Sequence, residues 1–244
     1  MEWREREGVR WLEAELPGAR AAFSTRVGGV SEAPYDELNV AILTGDERAR
    51  VRENRWRLAT ALGRNPDGVL MGRQVHGAEL REHRQRQQPR VYAEAVRSPV
   101  EVDAHSTTDP ELTPLVVTAD CLPVAMAGPG GVAMAHCGWR GLAAGIVAEA
   151  AIAVDATAAA VGPGIGPCCY EVGEEVLAEF ADLEDVAEGR MLDLTAVARI
   201  LLARAGVTEV ESADLCTSCN EELFYSHRRD GERTGRQAGL VWSE

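Results

Sequence analysis

The stretch from Pro114 to Gly141, PLVVTADCLPVAMAGPGGVAMAHCGWRG, constrains this chain more than any other part of it. Two short apolar runs, Leu115 to Ala119 and Gly131 to Ala135, are bounded by Pro or Gly and built from small or β-branched residues. Runs of that length and content suit buried strands better than helices. The first delivers Asp120 and Cys121; the second delivers His136 and then Gly-Trp-Arg-Gly. Between them Gly128-Pro129-Gly130-Gly131 has hairpin chemistry. If the two runs pair as a hairpin, Cys121 and His136 lie at different heights, and Leu122 to Ala127 folds back to bring them together. A thiol and an imidazole are thus expected on rigid backbone.

The chain has 244 residues, of which 45% are hydrophobic, enough for a substantial core. No apolar stretch approaches the ~20 residues of a membrane span. The first residues, MEWREREGVRWLEAE, lack an apolar signal region, so a cytoplasmic location is expected. All 25 basic residues are Arg, against 39 acids, for a net charge of −14. That balance argues against nucleic acid as a partner, because phosphate neutralisation dominates such binding. A small anionic substrate would need a few placed arginines to overcome a repulsive overall field.

Along the chain, Ala19 to Thr25 is expected as a strand, followed by Arg26 at the mouth of a Gly-Gly turn. A helix capped by Asp46 runs to a stop at Gly63, with Val51, Trp56, Leu58, Ala59 and Leu62 on its core face. Val69 to Val75 is expected as a strand leading into His76-Gly77. Arg84 to Ser98 is polar and without period, the mark of an exposed loop, with His83 exposed beside it. Helices are expected over Leu142 to Val154, Glu171 to Glu188 and Leu192 to Ala205, and strands over Ala156 to Val161 and Ala238 to Trp242. The tail between is read as a strand and a turn at Asp230-Gly231. The Gly-Pro loop from Gly162 to Pro167 matches neither a P-loop nor a dinucleotide fingerprint. No linker or internal repeat divides the chain, which favours one α/β or α+β domain.

Six cysteines in a chain without an export signal are expected as thiols or ligands. Cys216-Thr-Ser-Cys219 is half of a four-ligand zinc site with no second CxxC or HxxxH to complete it, so these two are read as structural or incidental thiols, with a redox or metal role as the alternative. The useful chemistry lies with His76, Cys121 and His136, each at or near an expected strand end. Two His and one Cys suit zinc with a fourth position left for water, whose pKa falls to about 7 on the metal. A Cys121 thiolate activated by His136, as in a cysteine hydrolase, uses the same residues. So does a buried thiol beside two satisfied histidines, and spacing alone does not separate the three.

The motifs FSTRVGGVS, QVHG, VDA, TADCLPV, AHCGWRG, GPGIGPCCYEVG and SHRRDGERTGRQAGLV, in this order from about Ser24 to Val241, resemble the laccase-domain family, also called the polyphenol oxidase or purine nucleoside phosphorylase family. The resemblance implies a single α+β domain over residues 1–244, with mixed β-sheets flanked by helices. It implies a zinc held by His76, Cys121 and His136, and phosphorolysis of adenosine, inosine, guanosine or methylthioadenosine, with deamination of adenosine beside it. Other branches are assigned to laccase-like phenol oxidation or to peptidoglycan editing. The chain departs from the family pattern at His105, Cys137 and His227, which removes no proposed ligand.

Multicopper oxidation needs a His₂Cys centre and a second His-rich cluster. Five histidines without a His-x-His pair do not supply both, although copper at the open triad would support weak phenol oxidation. For phosphorolysis, arginine suits a bidentate hold on phosphate. Motif position nominates Arg26, Arg140 and Arg229 for phosphate, with Asn39 and Gln74 for base or ribose. The expected partners are therefore a nucleoside and phosphate, with no nucleic acid and no membrane.

Overall fold

The computed structural model describes residues 1–98 and 100–244. Two six-stranded mixed sheets lie face to face, each with helices or loops on its outer side. The first sheet runs β1 (Glu2–Arg6), β2 (Val9–Leu16), β3 (Ala19–Ser24), β14 (Gln237–Ser243), β7 (Thr113–Thr118) and β4 (Val69–Leu70). The second runs β13 (Glu209–Ser212), β10 (Ala158–Val161), β8 (Leu122–Gly128), β9 (Gly131–Cys137), β6 (Ala104–Thr107) and β5 (Leu80–His83). A two-stranded ribbon, β11 (Ala187–Glu188) with β12 (Met191–Leu192), stands apart. This is the α+β architecture of mixed sheets flanked by helices.

The two-residue period of a strand sorts side chains between layers. In β8, Val124 and Met126 face the helical side of the second sheet, while Ala125 and Ala127 face the first sheet. In β9, Ala133 and Ala135 go outward and Val132 and Met134 inward. The layer between the sheets is rich in Ala, so the sheets approach closely. A Cβ added at Gly239 would stand 2.5 Å from Pro123 Cβ. The helical side of the second sheet is covered by α2 (Trp139–Ala143), α3 (Ile146–Ala153) and α5 (Leu194–Arg204), and the outer side of the first by α1 (Arg48–Ala61).

Several elements differ from the sequence expectation. The hairpin is β8 with β9, pairing Leu122 with Cys137 and Pro123 with His136. The first apolar run is β7, which belongs to the other sheet and pairs with β14. Leu122 to Ala127 is therefore not a fold-back but a central strand, its buried positions on both faces hiding the alternation that would have announced it. The N-terminal hairpin β1–β2 was not foreseen, because strongly charged β1 is exposed along its whole length.

In α1 the N-cap is Glu47, since the Asp46 carboxylate is taken by Ser31 and Asn39. The buried face is Val51, Asn54, Arg55, Leu58 and Ala59, and Trp56 is 51% exposed. Trp56 was thus misplaced in the core; the face turns toward polar residues that have internal partners. Asn54 Nδ2 donates to Ser31 Oγ and to the carbonyls of Glu37 and Asn39, and Arg55 donates to the carbonyls of Val40, Val91 and Tyr92.

Residues 84–98 are not simply an exposed loop. Val91 and Tyr92 are buried beneath α1, where the Tyr92 ring lies under Arg55. His83 is likewise buried, paired with His105. Beyond Leu70 the expected strand gives way to a bridge at Arg73, and the expected 142–154 helix is divided by left-handed Gly145 into α2 and α3. Within 171–188 only α4 (Glu174–Ala178) is helical, and in the tail the expected strand and turn give way to α6 (His227–Asp230). Asp193 caps α5 as expected.

Asn54→Ala removes an amide serving three acceptors and should lower the unfolding free energy by about 1–3 kcal/mol. Trp56→Gln should stay within about 0.5 kcal/mol. Urea titration of both variants compares them; equal losses would contradict this placement of the helix face.

Candidate metal centre

The chain leaves the first sheet at Thr118 and enters the second at Leu122, so Asp120 and Cys121 sit on the crossover between sheets. The turn is sharp: Asp120 has φ +92°, a value that L-residues rarely adopt and that needs several external holds. They are present. Thr217 Oγ1 donates to Asp120 Oδ1 at 2.7 Å, the Arg228 amide to Oδ2 at 2.7 Å, and the Ile165 amide to the Asp120 carbonyl at 2.8 Å. His136 arrives on β9 beside Pro123, one pair from the end of the hairpin. His76 arrives on the loop after β4, also left-handed at φ +62°.

One carboxylate positions both histidines. Asp103, fully buried just before β6, accepts from the amides of Val75, His76 and Gly77 at 3.1, 2.9 and 2.9 Å. The same group accepts from His136 Nδ1 at 2.8 Å, which leaves Nε2 to face Cys121. Burial would raise the Asp103 carboxyl, but the bonds from His136, Gly77 and Val75 hold it below the usual range. A Cβ on Gly138 would stand 2.9 Å from Cys121 Sγ and 3.2 Å from His76 Cδ2, so the approach of these side chains requires glycine there.

The candidate ligand atoms of His76, Cys121 and His136 lie within 4.8 Å of one another. Burial pushes the Cys121 thiol up, but the charge of His136 and hydrogen bonds from His136 and His76 outweigh it, leaving a value of about 6. His136 is pushed down by burial and raised more strongly by Cys121 and Asp103, to about 9. A thiolate and two imidazoles, one fixed in tautomer by a carboxylate, are the donor set of a zinc site with one open position. A His–Cys pair alone would also suit a nucleophile. The third donor, on a strained loop held by three amide bonds, is the feature that a simple thiol site does not need.

The group opens onto a cavity of about 490 Å³. Its walls include Trp139, Arg140, Tyr170, Arg228 and Arg236. Two buried polar atoms on its lining, Arg55 Nη2 and Thr118 Oγ1, have no protein partner among the described residues. A buried donor without a partner is costly, so the cavity is built for a polar guest.

Of the residues nominated by motif, Gln74 and Arg140 line this cavity. Gln74 is also clamped to both backbone groups of Val117, whereas Arg140 is exposed and rests on the Trp139 ring. Arg26, Asn39 and Arg229 are engaged elsewhere. Arg26 binds Asp36 and the Glu221 carbonyl, Asn39 binds Thr44 and Asp46, and Arg229 binds Asp230 and the carbonyls of Thr217, Ser218 and Phe224. His105 pairs with His83 at 3.0 Å, and burial lowers both, to about 3 and about 4. Cys137 is fully buried in the helical-side core, its thiol pushed up by that burial. Asp103, Tyr170 and Arg236 were given no role from sequence. Each lies within a motif, Asp103 in Val-Asp-Ala, Tyr170 in GPGIGPCCYEVG and Arg236 in SHRRDGERTGRQAGLV, but motif position alone did not say which of their residues face the cavity.

A family model described as "Multi-copper polyphenol oxidoreductase laccase" matches residues 20–244. The purine nucleoside phosphorylase YfiH of Escherichia coli is 37% identical over 239 residues, 92% of this chain and 94% of that one. A purine nucleoside phosphorylase of Deinococcus radiodurans is 40% identical over 249 residues, covering 96% and 93%. The crystal structure of YlmD from Geobacillus stearothermophilus superposes with a TM-score of 0.88 at 32% identity, covering 99% of this chain and 98% of that one.

Chelator-stripped protein should alkylate at Cys121 with a rate that rises through pH ~6, because the thiolate dominates above a depressed pKa. Peptide mass spectrometry separates this site from the other cysteines. Asp103→Asn should weaken metal binding about 10- to 100-fold and shift that midpoint upward, since His136 loses the carboxylate that favours its charge. An unchanged midpoint would remove Asp103 from this role.

Proposed function

We propose, since the chain belongs to the multi-copper polyphenol oxidoreductase laccase family, that it is a metal-dependent purine nucleoside phosphorylase. The observation that carries this reading is the joining of the His76, Cys121 and His136 group to a cavity of about 490 Å³ that holds both aromatic and arginine side chains. That volume lies in the range of small-molecule sites, and a nucleoside fits in it whole. Trp139 and Tyr170 supply aromatic lining for a purine, and Arg140, which rests on the Trp139 ring, offers a guanidinium to phosphate. The relatives' names point the same way.

Zinc, when bound, supplies a Lewis acid at the cavity wall. The protein's own groups do the rest. Asp103 holds the proton on His136 Nδ1 and the loop of His76 in place. Arg140 places phosphate under the ribose, where its oxygen forms a bond to C1′ as the bond from C1′ to the purine nitrogen breaks, and the proton that hydrogen phosphate gives up ends on the departing base. The products are the free base and ribose 1-phosphate. With a net charge of −14 the molecule as a whole repels phosphate, so Arg140, Arg228 and Arg236 act as a local basic lining against that field. Adenosine, inosine, guanosine and methylthioadenosine are the expected substrates.

Adenosine deamination is assigned to the same cavity: water is needed at C6 instead of phosphate at C1′, so the two poses exclude each other. Editing of peptidoglycan precursors is less favoured, because only part of a nucleotide-linked muropeptide would enter this volume. Copper in the triad would give weak phenol oxidation without the second His-rich cluster of a multicopper oxidase. The partners of the protein, on this reading, are a nucleoside and phosphate, not nucleic acid or membrane. No helix among the described residues is long and apolar enough to cross a bilayer.

Zinc-replete protein should convert adenosine and phosphate to adenine and ribose 1-phosphate, and chelation or Cys121→Ala should cut the rate at least about 100-fold. Full activity in metal-free protein would overturn the metal dependence. Arg140→Ala should raise the KM for phosphate about 10- to 100-fold, the equivalent of one lost charged hydrogen bond of about 1.5–3 kcal/mol. A change confined to the nucleoside KM would place phosphate elsewhere.

A further inference from the structure

Four of the six cysteines lie outside the proposed centre and outside the core, in one cluster. Cys168 and Cys169 follow the Gly-Pro loop, and Cys216 and Cys219 sit on the turn before α6. All four Sγ atoms are within 4.8 Å of one another, and Cys219 Sγ is 3.5 Å from Cys168 and 3.4 Å from Cys169. A zinc–sulfur bond of about 2.3 Å gives a tetrahedron with sulfur–sulfur edges of about 3.8 Å. The cluster surrounds that spacing. Cysteine is among the most buried residue types, yet Cys168 and Cys219 are exposed, so apolar packing does not explain their meeting.

The two segments are also matched in backbone. Gly164 bridges Cys216 and the Thr217 amide donates to the Gly164 carbonyl at 2.9 Å, while within the first segment the Cys169 amide turns back to the Gly166 carbonyl at 3.0 Å. A Cβ on Gly166 would stand 3.2 Å from Cys216 Cβ and 3.4 Å from Cys168 Sγ, so the bare backbone there admits the sulfurs. The CxxC that looked like half a zinc site thus has its other half in Cys168-Cys169, an adjacent pair whose spacing resembles no common ligand pattern.

We propose that Cys168, Cys169, Cys216 and Cys219 form a second, closed tetrathiolate zinc site that ties the Gly-Pro loop to the turn before α6. No position is left open for water or substrate, which sets it apart from the three-donor centre. Zinc binding releases the four thiol protons to solvent and leaves four zinc–sulfur bonds, with no change of oxidation state. Its work is positional. Tyr170, which follows Cys169, lines the cavity, and Thr217, which follows Cys216, holds the Asp120 carboxylate on the crossover that carries Cys121.

The test is metal content and sulfur coordination in protein purified anaerobically with thiol reductant and zinc. Wild type should hold about two zinc ions per chain, and Cys121→Ala about one, with an all-sulfur shell by X-ray absorption. Cys219→Ser should also hold about one, bound with nitrogen and sulfur donors. If Cys219→Ser does not fold, the sulfur shell in Cys121→Ala decides. Zinc content near zero in Cys121→Ala, with no uptake on titration with zinc alone, would overturn the proposal. So would iron in the site, or a disulfide joining any two of the four cysteines in the anaerobic protein. Phosphorolysis is not among these readouts, so the second site and the proposed activity fail separately.

Discussion

The buried carboxylate of Asp103 is the interaction on which the site depends. Its two oxygens receive three consecutive amides from the loop of His76 and the imidazole of His136. A carboxylate with no solvent exposure is stable as an anion only when such donors replace water. Here the donors that satisfy it are also the groups that need placing. A loop from one side of the molecule and a strand from the other are thereby fixed to one point, and the left-handed backbone of His76 is held by what it holds.

The second constraint is the crossover. Thr118 belongs to one sheet and Leu122 to the other, and the residues between carry an unfavourable backbone at Asp120. Three hydrogen bonds from Thr217, Arg228 and Ile165 offset that cost. They come from the Gly-Pro loop and from the tail, which explains why these segments accompany the Asp-Cys and His-x-Gly-Trp-Arg motifs. The thiol is set by a network that reaches well beyond its own strand.

His76, Cys121 and His136 were singled out in the sequence because Cys and His are few and stand beside apolar runs. Spacing left three readings open, and it was the resemblance of the QVHG, TADC and HCGWRG motifs that implied a metal. What the pattern did not carry was partnership in space. Trp56 looked like core by residue type, but the helix turns Asn54 and Arg55 inward, where backbone carbonyls from other segments satisfy them. Polar burial of that kind has no local signature. Leu122 to Gly128 hid its strand character because a central strand is apolar on both faces. Arg26 and Arg229 lie in family motifs and Asn39 lies between two of them, yet their donors bind the protein itself; a motif records a need for a residue, not which need. The four-cysteine cluster was missed because its halves are 51 residues apart from Cys168 to Cys219.

The alanine-rich layer between the sheets has a further consequence. Cys121 hangs from the passage between the two sheets, whereas His136 belongs to one of them. A side chain at Gly239 would stand 2.5 Å from Pro123 Cβ, and Pro123 pairs with His136 and lies two residues from Cys121, so packing between the sheets bears directly on the spacing of both groups. The interior of this protein acts as a caliper whose jaws are the candidate ligands. Small side chains in that layer thus set the spacing of the candidate ligands as well as the packing of the sheets.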